Sequence, residues 1–149
     1  MLSQDFKEFV ELLNKHNVEY LIVGGYAVGI HGYPRYTGDL DVWINATVEN
    51  ALKMVRVLDD FGFSSFGLTE GDFTEPGNVI QMGYPPFRID VLTTIDGVDF
   101  EGCYQNRMIV QHDEIALNVI GMSDLKVNKQ ASGRSKDIED LENLKNSDQ

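Results

Sequence analysis

The chain has 149 residues, and 24 Asp and Glu against 12 Lys and Arg give a formal net charge of −12. That length suits one domain, expected over 1–149, with a core that needs no disulfide. The acid excess argues against strong non-specific nucleic-acid binding, which rests on clustered Lys and Arg. It fits solubility, a small cationic acceptor or a basic protein partner. Cys103 is the only cysteine, so a reducing cytoplasm is the expected compartment. No apolar run approaches the roughly 18 residues of a membrane span. The start, MLSQDFKEF, lacks the basic-then-apolar pattern of a signal peptide.

Ser3 reads as an N-cap, and Phe6, Phe9, Val10 and Leu13 follow at helical spacing to about Lys15. Tyr20-Leu21-Ile22-Val23 is a short run of strand formers stopped by Gly24-Gly25. Residues 26–31 then suit one or two helical turns, with free backbone N–H groups aimed at whatever sits above the diglycine. A loop with Arg35 and Thr37 leads to Asp39-Leu40-Asp41-Val42-Trp43-Ile44. Alternation along that strand points Asp39 and Asp41 one way and Leu40 and Val42 into the opposite, buried face.

Thr47 opens a helix to about Phe61 with Gly62 as its stop, and Leu52, Val55 and Leu58 are its expected apolar stripe. Residues 63–78 read as a strand fragment and a loop whose acids fit no EF-hand spacing. Residues 79–82 and 87–92 read as a hairpin, and the second strand carries Asp90 between Ile89 and Val91. Residues 98–104 read as strand then loop. Residues 108–112 and 115–119 flank Asp113-Glu114 as a further hairpin. Ser123 is the expected cap of a helix over 124–130. Ser135 is that of a helix over 136–144, with Ile138, Leu141 and Leu144 on one face.

His31 and His112 read as packing and surface residues rather than catalysts. Cys103 has no neighbouring His or Cys for a metal or nucleophile role. Asp39, Asp41 and Asp90 carry the chemistry. Two carboxylates about 5 Å apart repel by about 3 kcal/mol at an effective dielectric near 20. Protonation or a bound cation relieves that, and oxygen-only ligands favour Mg²⁺, Mn²⁺ or Ca²⁺ over zinc. A phosphate cradle beside such an ion is the apparatus of phosphoryl or nucleotidyl transfer.

Gly24-Gly25, thirteen further residues, Asp39-Leu40-Asp41-Val42 and then Ile89-Asp90-Val91 together resemble the active-site signature of the DNA polymerase β-type nucleotidyltransferase superfamily. The compact form is similar to the minimal nucleotidyltransferases of toxin–antitoxin and abortive-infection systems and to small antibiotic nucleotidyltransferases. The resemblance covers about 20–92, with a weaker tail match near 125–144. It implies an α+β nucleotidyltransferase fold, a mixed β-sheet flanked by helices, with a core over about 20–92 and a helical tail over about 123–145.

By that resemblance, Asp39, Asp41 and Asp90 are the catalytic and metal-holding residues, for Mg²⁺ or Mn²⁺. Gly24, Gly25, Arg35, Thr37 and Lys129 are the nucleotide-binding residues, with Lys126, Arg134 and Lys136 as lesser phosphate contacts. Many members carry Gly-Ser, so the serine hydroxyl that can hold phosphate is missing here. The implied activity moves a nucleoside monophosphate from an NTP to a hydroxyl acceptor, which could be a small molecule, a tRNA or a protein. A partner protein or a homo-oligomer could complete the acceptor site. The alternative is a non-catalytic nucleotide- or partner-binding module on the same fold. A structural Ca²⁺-binding protein is a poor third, for want of a dense ligand loop.

Overall fold

The computed structural model describes residues 2–33, 38–63, 67–84 and 87–147. The Ser3 hydroxyl accepts from the Phe6 N–H and starts α1 (Gln4–Lys15), which buries Phe6, Phe9, Val10 and Leu13. β1 (Tyr20–Val23) runs directly into α2 (Gly24–Ile30), and β2 (Asp39–Ile44) follows. Every residue of β1 is buried, as a strand covered on both faces requires. Thr47 accepts from the Asn50 N–H and opens α3 (Val48–Phe61), which ends at Gly62 in the left-handed conformation at φ 94°. The remaining elements are β3 (Val79–Tyr84), β4 (Phe87–Leu92), α4 (Phe100–Gln105), β5 (Met108–His112), β6 (Ile115–Val119), α5 (Met122–Ser132) and α6 (Ser135–Ser147).

The strands form one six-stranded mixed sheet in the order β3-β4-β2-β1-β6-β5. β1–β2, β3–β4 and β5–β6 are antiparallel, whereas β2–β4 and β1–β6 are parallel. The architecture is α+β. The β5–β6 turn is made by Asp113 and Glu114 at φ 48° and 68°, which a two-residue hairpin of matching twist requires.

Asn50 ties α3 to the sheet. Its side chain accepts from the Glu19 N–H at 2.8 Å and donates to the carbonyls of Glu19 at 3.0 Å and Asn45 at 2.8 Å. Trp43 is core, and its indole N–H donates to the Thr93 carbonyl. His31 packs at the end of α2, its Nε2 donating to the Ile120 carbonyl at 2.7 Å. His112 sits at the hairpin end, 3.6 Å from the Asp113 carboxylate. No helix among the described residues is long and apolar enough to cross a membrane.

Several elements differ from the sequence expectation. α2 begins at Gly24, so the diglycine is its first turn rather than a spacer before it. The buried stripe of α3 is Ala51, Met54, Val57 and Leu58, and Leu52 is exposed. Two stripes one position apart fit the same helical period, and tertiary packing, against α1 and the Glu70–Phe73 turn among others, selects between them. The described part of 63–78 holds a 3₁₀ turn, Glu70–Phe73, anchored by buried Phe73, in place of a strand. Of residues 98–104, 100–104 lie in α4 rather than in a strand, because Asp99 accepts from the Gly102 N–H and starts a helix. α5 starts at Met122 behind Gly121, ahead of the expected Ser123 cap. In α6 Ile138 is exposed, and the buried face is Asp137, Asp140, Leu141 and Leu144.

Candidate functional site

The parallel register of β2 and β4 sets Asp39 opposite Arg88 and Asp41 opposite Asp90. Residues two apart share a face. Asp39, Asp41, Arg88 and Asp90 therefore meet on one side of the sheet. On the other flank of β2, Asp41 is opposite Val23, the last residue of β1. Gly24 follows at φ +68°, and a Cβ placed on it would collide with the Asp41 Oδ2. The diglycine turn thus lies directly against the acid-bearing strand. Val23, at the N-cap of α2, has no side-chain acceptor for the first amides of that helix.

Burial, and then the adjacent charges of Asp90 and Asp39, push the Asp41 carboxyl up to about 6. Arg88 answers the other two acids. Its Nε donates to Asp90 Oδ1 at 2.9 Å, and its Nη2 donates to Asp90 Oδ2 at 3.1 Å and to Asp39 Oδ2 at 3.0 Å. These bonds, that to Asp90 first, hold the guanidinium above its usual value.

The opposite wall comes from α5 and α6. Lys129 is 5% exposed, so it is not on a solvated helix face. It lies 3.2 Å from Asp137 and 3.1 Å from Asp140. Arg134 Nε donates to Asp137 Oδ2 at 2.7 Å. Burial raises Asp137, but hydrogen bonds from Arg134 and Lys129 outweigh it and leave the carboxyl below its usual value. Between the walls is an open cavity of about 470 Å³, reached by Gly24, Gly25, the three acids, Lys129, Arg134 and Lys136. Lys126 is not among the residues lining this cavity. Arg35 and Thr37 lie outside the described residues.

The acid trio fits a hard divalent cation, because its donors are all carboxylate oxygens and Asp41 carries charge that a cation would relieve. Among the described residues, no group of three His, Cys, Asp or Glu is arranged to hold a metal ion as it stands. In this arrangement Arg88 bridges Asp39 and Asp90. Sequence reasoning missed Arg88 as a partner of the acids. The signal was its place two residues before Asp90, which puts both on one face of a strand. It also missed Asp137 and Asp140, whose partner lies on another helix.

The family model described as "Nucleotidyltransferase of unknown function (DUF6036)" matches residues 2–149. No curated protein matches the chain. Among solved structures, the lincosamide antibiotic adenylyltransferase LnuA, with lincomycin bound, aligns at TM-score 0.58 and 15% identity over 97% of both chains. A nucleotidyltransferase-like protein from Thermotoga maritima, TM1012, aligns at 0.59 and 12%, over 95% of this chain and 88% of that one. The antibiotic-resistance factor ANT(2'')-Ia aligns at 0.58 and 12%, over 96% of this chain and 82% of that one. These likenesses show that the chain has the nucleotidyltransferase fold.

Proposed function

The chain belongs to the DUF6036 family of nucleotidyltransferases, and from that premise we propose that it moves a nucleoside monophosphate from an NTP to a hydroxyl acceptor with release of pyrophosphate. The observation that carries this reading is the Asp41–Asp90 register directly beside Gly24. It supports a site in which phosphate and carboxylates share one small volume.

In this reading Asp39, Asp41 and Asp90 are the residues that would hold Mg²⁺ or Mn²⁺. When bound, the cation supplies neutralisation of phosphate charge and polarisation of the P–O bonds. The amides of Gly24 and Gly25 take the β- and γ-phosphates. Lys129, Arg134 and Lys136 line the far wall where the triphosphate would lie, and Asp137 and Asp140 offset the charge of the first two. Asp90 orients the acceptor hydroxyl and takes its proton. The acceptor oxygen bonds to the α-phosphorus as the bond to the β-phosphate bridging oxygen breaks, and pyrophosphate leaves. Positioning and charge stabilisation supply most of the acceleration.

Two structural neighbours are antibiotic-modifying or antibiotic-resistance proteins. Small hydroxylated molecules are therefore the first acceptors to try, ahead of tRNA or protein. The test is transfer from labelled ATP, CTP, GTP or UTP with Mg²⁺ to pooled acceptors, with NTP binding followed by calorimetry. Transfer from one NTP supports the reading. Absence of both transfer and NTP binding overturns it.

One observation favours a second reading, a non-catalytic module: Arg88 already holds Asp39 and Asp90. Asp39→Ala and Asp41→Ala separate the two readings. Transfer by wild type that both variants lose supports catalysis, and NTP binding without transfer by wild type supports binding alone.

A further inference from the structure

Three acceptor oxygens of the acid trio are taken by one side chain. Arg88 uses both oxygens of Asp90 and the Oδ2 of Asp39, at 2.9 to 3.1 Å. A guanidinium fork matches a carboxylate in two parallel bonds, and such charge-assisted bonds are among the stronger ones in proteins. The bridge is local on one side, since Arg88 and Asp90 are two residues apart on β4. On the other side it crosses to β2, where Asp39 is the register partner of Arg88. Asp90 is only 7% exposed, so few water molecules replace Arg88 if it leaves. A divalent ion bound through the same oxygens must displace that fork.

We propose that Arg88 is a built-in counter-cation that competes with the divalent ion for Asp39 and Asp90. The inference rests on the nucleotidyl-transfer reading of the trio. In the nucleotide-free protein the arginine keeps the carboxylates satisfied and the affinity for divalent cations low. The site becomes competent for a cation only when the guanidinium swings off toward the cavity it lines. The competing possibility, that Arg88 merely braces Asp90 for ligation, predicts the opposite sign on its removal.

The experiment is a titration of the nucleotide-free protein with Mn²⁺ alone, by calorimetry and by the EPR signal of free Mn²⁺. It uses wild type, Arg88→Ala and Arg88→Gln. Competition predicts Mn²⁺ binding about tenfold tighter or more in both variants, within the usual range of coupling between linked sites. It also predicts that Asp41→Asn, added to either variant, abolishes the gain. Thermal melting supplies a second readout should the variants be marginally folded: Mn²⁺ raises their Tm more than that of wild type. Unchanged or weaker Mn²⁺ binding in the folded variants overturns the proposal and leaves the transfer reading standing. Absence of Mn²⁺ binding by every protein, with and without NTP, overturns both.

Discussion

The Asp41 carboxylate occupies the space where a side chain on Gly24 would begin. Gly24 also sits at φ +68°, where an L-residue is strained by about 1–2 kcal/mol. Gly24→Ala is therefore expected to cost about 2 kcal/mol or more by denaturant unfolding. Asp41→Ala in the same chain removes the carboxylate part of the clash and leaves the close Cβ approach and the backbone share, so the two changes are non-additive. Gly29→Ala is the control, because open space surrounds that position in α2 and alanine favours the helix. Equal losses from Gly24→Ala with and without Asp41 would refute the contact.

The crowding of carboxylates predicts a pH signature in chelated protein. Burial, Asp90 and Asp39 raise Asp41 from 3.8 to about 6 in the folded state. The folded chain then holds more protons at this position than the unfolded chain across that window. Stability from this group is greatest at low pH, falls as pH rises from 3.8 to about 6, and is flat above. Asp41→Asn removes this slope. In EDTA at pH 7 it is expected to be more stable than wild type by roughly 1–3 kcal/mol, while nucleotidyl transfer is lost. An Asp41→Asn protein less stable than wild type under those conditions would contradict the electrostatic account.

The parts of the fold that were readable are those whose period and punctuation are local. β1 announces itself by four apolar residues before two glycines, and β2 by strict alternation from Asp39 to Val42. The β5–β6 hairpin needed only the Asp113-Glu114 turn between two runs. Elements decided by partners were misread. Residues 100–105 are too short for a helical period to show, and the Asp99 cap decides them. α6 hides two acids on its buried face, which no apolar pattern marks, because Lys129 on α5 receives them. The acids of the site were visible as strand-borne aspartates. Their union with Arg88 depends on the β2–β4 register, a non-local fact.

Cys103 is expected to be chemically quiet. It is 2% exposed, and burial first, then Asp124 beside it, pushes its thiol up to about 12. Thiolate, the reactive form, is scarce at neutral pH. Alkylation by iodoacetamide at pH 8 should run about a hundredfold or more slower in native protein than in urea. Comparable rates in the two conditions would show that α4 opens readily.

The last prediction concerns Lys129, whose ammonium lies between two carboxylates that are 1% and 2% exposed. Removing one member of a buried ion cluster leaves the others uncompensated, at a cost of about 3–5 kcal/mol. Lys129→Met should therefore destabilise the junction of α5 and α6. Hydrogen exchange should quicken there before it does in β1 and β2. Asp140→Asn added to Lys129→Met restores part of the loss, because the buried cluster then carries one less negative charge. Arg134 still serves Asp137 in that variant. A lysine whose only role was to touch phosphate would behave otherwise. Its removal would weaken NTP binding and leave urea unfolding within about 0.5 kcal/mol of wild type, and that outcome would remove Lys129 from the framework of the fold.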